Sequence, residues 1–389
     1  MTRVIEFLIS LAIVTVLFLV VGVLLPSSRH LVERTETNRK LTIVFDTLNS
    51  LRRFDDWSPL VLRDPGMQLK LSGPETGVGA RLDYTSTNKG LGEGSWTITE
   101  SVPKSRIAYA VTNPDRGDNK RYAFRLEPTG RNNRNVEIIQ SYDVDYGWNI
   151  LGRYTGMYVS RYVGDDMKMG LGRLTNILAA VPNVDYAQSG IKLADLGIAE
   201  LPAEDVLFVN SGAIERGNDP IQASMNANME WIKRNMAANG LQPVGPMRII
   251  TNELGRTTYN FDIAQVVRKG SGTAPTASKP EAEEGEDGDK TADTAPAPVT
   301  EITADAGAQP ELKLTLQGPV KYVRTKPGRF AHATYTGFMP ELENVRNAVR
   351  AWSLTQGYEV TERPFEVYKS GVVDSFSENG QFDVYWRIK

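Results

Sequence analysis

The chain has 389 residues, an apolar content of 41% and a formal net charge of −3. This size and composition predict more than one folded domain and exclude a chain that is disordered throughout. The nearly balanced charge gives no basis for nucleic-acid binding. The chain has no cysteine, which excludes disulfides and cysteine nucleophiles. Because its only histidines are His30 and His332, we expect no metal site and no cofactor.

An uncharged, largely apolar segment runs from Phe7 to Ser28. As a helix it would be about 33 Å long, close to the thickness of a bilayer core. We therefore predict a transmembrane helix over residues 5–28. The alternative is a cleaved signal peptide, but the apolar stretch is long for one and is followed by no clear small-residue cleavage site.

The membrane side of the soluble part stays open at this point. Basic residues after the apolar segment favour the cytoplasm under the positive-inside rule, whereas the lack of cysteine leans weakly toward an oxidising compartment. We expect a single-pass protein of a bacterial inner membrane.

Beyond the anchor, the hydrophobic pattern predicts a strand over residues 31–36 and helices over 40–49 and 51–57. A series of strands separated by turn signals follows, and residues 165–180 form a helical stripe. The predicted strands are Gln68–Ser72, Ala80–Ser86, Ser95–Val102, Arg106–Val111, Arg121–Pro128 and Val136–Tyr146.

Four short motifs in this region occur in a characteristic order. They are Val44–Leu48 on a predicted helix, Trp57-Ser58-Pro59, the glycine turn Gly73–Gly79, and Gly92–Glu100. With these motifs, residues 31–182 resemble the polyketide cyclase/START-like (SRPBCC, helix-grip) superfamily. The resemblance implies an α+β fold in which a curved antiparallel sheet wraps a long C-terminal helix around an apolar cavity.

The predicted cavity would bind a hydrophobic or amphipathic small molecule. Each candidate side chain is alternatively an ordinary core residue, because aromatic and methionine side chains are usually buried. The segment Asp143–Tyr162 is rich in aromatic residues and is a lid, a patch that dips toward the membrane, or a packed connecting helix. The candidate wall residues are Trp57, Trp96, Tyr109, Phe124, Tyr142 and Met169.

After Pro182 a unit of strand, helix, glycine turn, proline-containing strand and Phe-Asp-aliphatic strand occurs twice. The copies end at Phe261-Asp262 and Phe382-Asp383. This duplicated βαββ layout resembles the GyrI-like effector-binding module over residues 204–389. The resemblance implies a groove for amphipathic or cationic molecules, lined by aromatic residues and a carboxylate. Its candidate residues, each alternatively a solvated carboxylate or a core aromatic, are Tyr335, Trp352, Glu366, Tyr368, Asp383 and Tyr385.

The two copies are separated by residues 270–312, which are rich in Ala, Thr, Pro, Glu and Asp. A segment with so few large apolar residues cannot offset its ordering entropy by burial. We predict a disordered insertion within the second domain.

Three classes of function are compatible with these patterns. The sequence favours a membrane-anchored protein that binds or senses a lipid, a hydrophobic metabolite or an amphipathic cation. The first alternative is an enzyme of cyclase-like or hydrolytic type, although no catalytic constellation is visible. The second is a structural membrane protein with vestigial pockets.

Overall fold

A computed structural model of the protein describes residues 2–187, 193–270 and 311–389. Most of the predicted disordered insertion lies outside these residues. Its two ends are described, and there the prediction is wrong. The amide of Gly270 donates to a backbone carbonyl of the second unit, and the amide of Leu312 donates to a tyrosine hydroxyl of the same unit. Leu312 also packs against the apolar core there, and this burial offsets the entropy of ordering.

The N-terminal helix α1 (Thr2–Leu24) is apolar around its whole circumference and almost fully exposed. By length and composition it is a candidate membrane span. It ends four residues before the predicted end, because Pro26 disfavours a helical conformation at the residue before it. Strand β1 (Ser28–Thr37) follows directly.

The first unit contains β1, six further strands and four helices within residues 28–187. The helices are α2 (Leu41–Leu48), α3 (Phe54–Trp57), α4 (Ile150–Gly156) and α5 (Val159–Ala179). The strands are β2 (Gln68–Ser72), β3 (Arg81–Thr85), β4 (Glu93–Val102), β5 (Arg106–Thr112), β6 (Asp118–Thr129) and β7 (Asn135–Asp145).

These seven strands form one antiparallel sheet in the order β1-β7-β6-β5-β4-β3-β2. The long helix α5 follows the sheet in sequence and packs against it through Leu171, Leu174 and Leu178, all buried. An antiparallel sheet followed by a helix across its face is the predicted α+β arrangement, and it is consistent with a START-like fold.

The second unit begins at residue 193, earlier than predicted, because a strand before residue 204 joins its sheet. Its helices are α6 (Asn218–Ala238), α7 (Leu342–Thr355) and α8 (Gly371–Asp374). Its strands are β8 (Leu193–Leu201), β9 (Asp205–Glu215), β10 (Leu241–Pro243), β11 (Arg248–Leu254), β12 (Thr258–Lys269), β13 (Lys321–Arg324), β14 (Gly328–Thr336), β15 (Phe365–Tyr368) and β16 (Gln381–Arg387).

Within residues 193–270 and 311–389 these strands form a single sheet in the order β13-β9-β12-β11-β15-β16-β14-β8, with β10 paired to β12. The centre of this sheet lies between β11 and β15. Read toward the centre, the order β9-β12-β11 on one side matches β14-β16-β15 on the other. The edge strands are exchanged between the two halves. Strand β8, which precedes β9 in the chain, pairs with β14, and strand β13, which precedes β14, pairs with β9. Helices α6 and α7 pack against this sheet.

Helix α7 is shared by the two units. Its residues Ala348 and Ala351 are fully buried in the core of the first unit, and Trp352 packs against both cores. A buried hydrogen-bond chain crosses the same interface. There the hydroxyl of Tyr186 donates to Asp46 Oδ2 (2.6 Å) and lies 3.0 Å from Thr355 Oγ1. The two units are therefore joined by continuous packing.

We expect Trp352→Ala to lower the free energy of unfolding by about 3 kcal/mol, because it removes a large side chain that packs against both cores. Urea denaturation of the detergent-solubilised protein, followed by circular dichroism, measures this change. The control is Val373→Ala, whose side chain is 75% exposed and should change stability by less than about 0.5 kcal/mol. Equal effects of the two substitutions would show that α7 does not join the cores.

Candidate functional site

A cavity of about 520 Å³ lies between the sheet of the first unit and the N-terminal half of α5. Its walls come from the turn after α3, from strands β3 to β7 and from α5. The sequence of α5 explains why space remains at this end. The buried positions toward its C-terminal end are Leu171, Leu174 and Leu178, whereas the cavity-lining position Gly170 has no side chain to fill the space. Helix α5 therefore closes the core at one end and leaves a cavity at the other.

Aromatic rings form one continuous wall of this cavity. Trp57 meets Trp96 edge-on, with ring centroids 6.3 Å apart. Trp96 stacks on Tyr122 at 4.7 Å, and Tyr122 lies 4.7 Å from Tyr142. Such a wall presents both apolar ring faces and polar phenol edges, so it suits a ligand with a flat apolar part.

Two buried polar atoms belong to residues that line the cavity and have no hydrogen-bond partner among the described residues. They are the donor Nε1 of Trp57 and the acceptor Oε1 of Gln140. Leaving such a group unpaired costs roughly 1–3 kcal/mol. Both atoms have almost no accessible surface, so a bound molecule would reach them only after the side chains move. The phenol edges of the lining residues Tyr122 and Tyr142 nevertheless make the cavity better suited to an amphipathic ligand than to a pure hydrocarbon.

Charged groups lie at the rim. Arg63 Nη2 donates to both carboxylate oxygens of Asp166 at 2.6 Å. Burial raises the pKa of Asp166, and the opposing effect of Arg63 is smaller. On the facing β5–β6 loop, Asp115 and Arg116 are exposed cavity residues. In the described part of the chain, no three His, Asp or Glu side chains are grouped so as to hold a metal ion.

Of the six predicted cavity residues, Trp57, Trp96 and Tyr142 line the cavity. Tyr109 and Phe124 do not, because they are fully buried in the core behind Trp96 and Trp57.

The prediction for Met169 is also wrong in position. Its side chain is 50% exposed on the outer face of α5, and Met167 lines the cavity instead. A shift of two residues moves a side chain to the opposite side of a helix.

Several residues that line the cavity were not predicted from the sequence, notably Gln140, Tyr122 and Asp166. One signal was available, because Gln140 and Tyr142 alternate on β7 and so share a face. Asp166 had no such signal, because its role depends on the distant Arg63.

Of the six residues predicted to line a groove in the second unit, five lie on two opposite faces of its sheet and Trp352 lies on α7. Tyr335, Tyr368 and Trp352 belong to the core between the sheet and its helices. Glu366 is on the same side and fully buried, where Arg346 Nη1 of α7 donates to its Oε1 at 2.8 Å. These four cannot line one groove with residues of the opposite face.

Asp383 and Tyr385 lie on that opposite face, two residues apart on β16. Tyr385 stacks on Phe365 with centroids 5.0 Å apart. Asp383 forms an ion pair with Lys369 at 2.7 Å. Burial alone would raise the pKa of Asp383, but His332 and Lys369 outweigh it and lower the pKa. The carboxylate is therefore charged and already paired.

A smaller cavity of about 170 Å³ lies at the start of α6 and α7. Its charged lining residues are Arg216, Glu343 and Arg346. Arg216 pairs with Glu343 at 3.0 Å, and Arg346 pairs with Glu366, so these charges balance one another. Its volume is below the usual range for drug-sized ligands.

Comparison with known families supports the reading of the first unit. A family model described as polyketide cyclase / dehydrase and lipid transport matches residues 29–179. This match confirms the predicted resemblance for that part of the chain. No curated protein matches the chain. The GyrI-like resemblance of the second unit stays a prediction.

Several solved structures are similar at low identity. Norcoclaurine synthase from Thalictrum flavum, solved with dopamine and hydroxybenzaldehyde, is 12% identical with a TM-score of 0.31, over 39% of this chain and 87% of that one. A protein from Thermobifida fusca is 17% identical with a TM-score of 0.31, over 39% and 93%. The C-terminal domain of EcmrR is 11% identical with a TM-score of 0.33, over 50% and 97%.

The cavity tyrosine Tyr84 gives a pH-dependent prediction. Burial raises its pKa to about 12, whereas a phenol in the unfolded chain ionises near pH 10. Between these values the unfolded state loses a proton that the folded state keeps, so stability falls as the pH rises. We expect Tyr84→Phe to make that fall shallower by about 1.4 kcal/mol per pH unit.

Urea denaturation at a series of pH values above and below 10 measures the effect. If Tyr84→Phe loses stability as steeply as the wild type, Tyr84 does not ionise late.

Proposed function

We propose that the protein is a membrane-anchored binder of an amphipathic small molecule, and that the ligand occupies the 520 Å³ cavity of the first unit. One observation carries the proposal. The cavity combines a continuous aromatic wall with polar groups of the same lining, the phenols of Tyr122 and Tyr142 and the amide of Gln140. Its volume falls within the usual range of ligand sites and argues against a structural protein with collapsed pockets. The similarity of residues 29–179 to a family described by lipid transport is compatible with such a ligand.

The anchor part of the proposal is supported by contacts between α1 and the rest of the fold. The Arg153 side chain is buried, and its Nη1 donates to the carbonyls of Val23 (2.6 Å) and Leu25 (3.2 Å). These groups belong to the end of α1, where helix carbonyls have no partner within the helix. Cleaving the segment as a signal peptide would remove two of the four hydrogen bonds that Arg153 makes, the other two being to the Gly147 carbonyl. We therefore infer that α1 is retained, and we propose a bacterial inner membrane as its location.

We infer that the second unit is a duplicated GyrI-like module. The mirrored strand order and the exchanged edge strands support the duplication. Both candidate carboxylates have a basic partner, since Glu366 pairs with Arg346 and Asp383 pairs with Lys369. A cationic ligand at Asp383 and Tyr385 would have to displace Lys369. We therefore assign the main ligand to the first unit.

A second candidate function is cyclase-like or hydrolytic acid–base catalysis on the bound molecule. Asp166 favours it, because its carboxyl lines the cavity and burial raises its pKa. A carboxyl with a raised pKa is better able to act as a general acid near neutral pH.

We expect native mass spectrometry of protein purified in detergent from its own host to detect a bound amphipathic compound. Gln140→Leu should reduce occupancy to a degree that corresponds to about a tenfold loss of affinity, because about 1.4 kcal/mol of hydrogen bonding is lost. The control Gln68→Leu makes the same change at an exposed position of β2 and should retain the compound. Empty wild-type protein, or equal loss in both variants, would contradict binding in this cavity.

The retention of α1 has its own test. We expect the intact mass of the protein from host membranes to include residues 1–25, because Arg153 holds the end of α1 within the fold. A mature mass that lacks this segment would refute the anchor and leave the cavity proposal standing.

A further inference from the structure

Helix α4 packs closely against the last turns of α1. The rings of Phe18 and Tyr154 stack with centroids 4.5 Å apart, and the Tyr154 hydroxyl donates to the Phe18 carbonyl at 2.8 Å. Gly22 permits this approach, since a Cβ atom there would lie 2.2 Å from Ile150 Cγ2. Together with Arg153, these contacts fix α4 against α1 from Phe18 onward.

The length of α1 sets the depth of these contacts. Phe18 lies six residues before the helix end at Leu24, which is about 9 Å along the axis. If the bilayer ended before Phe18, the span from Arg3 to Leu17 would be only about 22 Å. A hydrocarbon core of about 30 Å needs the last turns of α1 as well. Helix α4 therefore lies at a level that the bilayer reaches.

The surface of α4 and its flanks has the composition expected at that level. Its large side chains are exposed although they are apolar or aromatic, and tryptophan and tyrosine are enriched where a membrane meets water. The guanidinium carbon of Arg153 lies 5.4 Å from the centroid of the Trp148 ring, so the ring interacts with the positive charge at this surface. We call this surface the interfacial patch; it comprises Trp148, Leu151, Met157, Tyr158 and Tyr162.

The interfacial patch adjoins the mouth of the ligand cavity. Tyr162 belongs to both, since it is 64% exposed and also lines the cavity. Thr155 at the end of α4 and Val159 at the start of α5 line the cavity too. The segment that contacts α1 is therefore also one side of the cavity entrance.

We propose that the interfacial patch is seated in the headgroup layer of the bilayer that α1 crosses, and that the cavity mouth consequently opens onto the membrane. This inference rests on the proposed anchor and names the source of the ligand as the lipid phase. Burial of the exposed apolar side chains supplies the driving force, in proportion to the apolar surface removed from water. The continuity of the patch with α1 identifies the occupant as the bilayer.

The absence of cysteine makes a direct test clean, because one introduced cysteine is the only labelling site. We would attach a nitroxide to Leu151→Cys in the full-length protein, reconstituted in nanodiscs of phosphatidylethanolamine and phosphatidylglycerol. The matched control is Leu71→Cys on β2, at the sheet edge opposite β1. The two leucines are 51% and 49% exposed. Two further labels, Ile13→Cys in α1 and Tyr162→Cys at the cavity mouth, complete the set.

Relaxation by oxygen, which concentrates in lipid, is compared with relaxation by a water-soluble nickel chelate. We expect the oxygen-to-nickel ratio to be several-fold higher at residues 13, 151 and 162 than at residue 71. A high ratio at 13 with ratios at 151 and 162 equal to that at 71 would overturn the inference and leave the anchor intact. A low ratio at residue 13 would refute the anchor itself, and the inference with it.

Discussion

The central constraint in this protein is that the long helix α5, helped only by the short helices α2 and α3, must close one face of a seven-stranded sheet within residues 28–187. One helix presents only one stripe of side chains, so complete filling requires large residues along its whole length. Helix α5 has leucines at its buried C-terminal positions and a glycine, Gly170, where it lines the cavity. The core is therefore dense at the C-terminal end of α5, and the missing side chain at Gly170 leaves space beside it. Everything proposed about a ligand follows from that division.

Much of this architecture was accessible from the sequence, because it depends on local patterns. The alternation of β4 to β7 and the helical stripe of α5 each report burial of one face. The error at Met169 was avoidable, because Met167 and not Met169 lies four, seven and eleven residues before Leu171, Leu174 and Leu178 on one face of α5. Other details that failed depend on partners far away in sequence. Asp166 gains its place at the cavity through Arg63, more than a hundred residues earlier.

The second unit shows the same limit in a strand. Phe365, Glu366, Val367 and Tyr368 alternate, and the simplest prediction puts the carboxylate outside. In the structure the face of β15 that carries Glu366 is buried against α7, because Arg346 on α7 supplies a charged partner for Glu366 inside the core. Breaking such a pair by removing one member is costly, although the pair itself adds little stability. The buried charges of this unit thus fix how α7 sits on its sheet, and α7 in turn holds the first unit.

The clamp between α1 and α4 changes what the N-terminal helix can do. A helix joined by a flexible linker would let the soluble part rotate freely above the membrane. Here Gly22 and Arg153 hold α1 rigidly against the fold, so the helix acts as a lever. Helices longer or shorter than the local hydrocarbon layer adjust by tilting. If α1 crosses a bilayer as proposed, any tilt of α1 would turn the cavity with it, and bilayer thickness would set the angle at which the site meets the membrane.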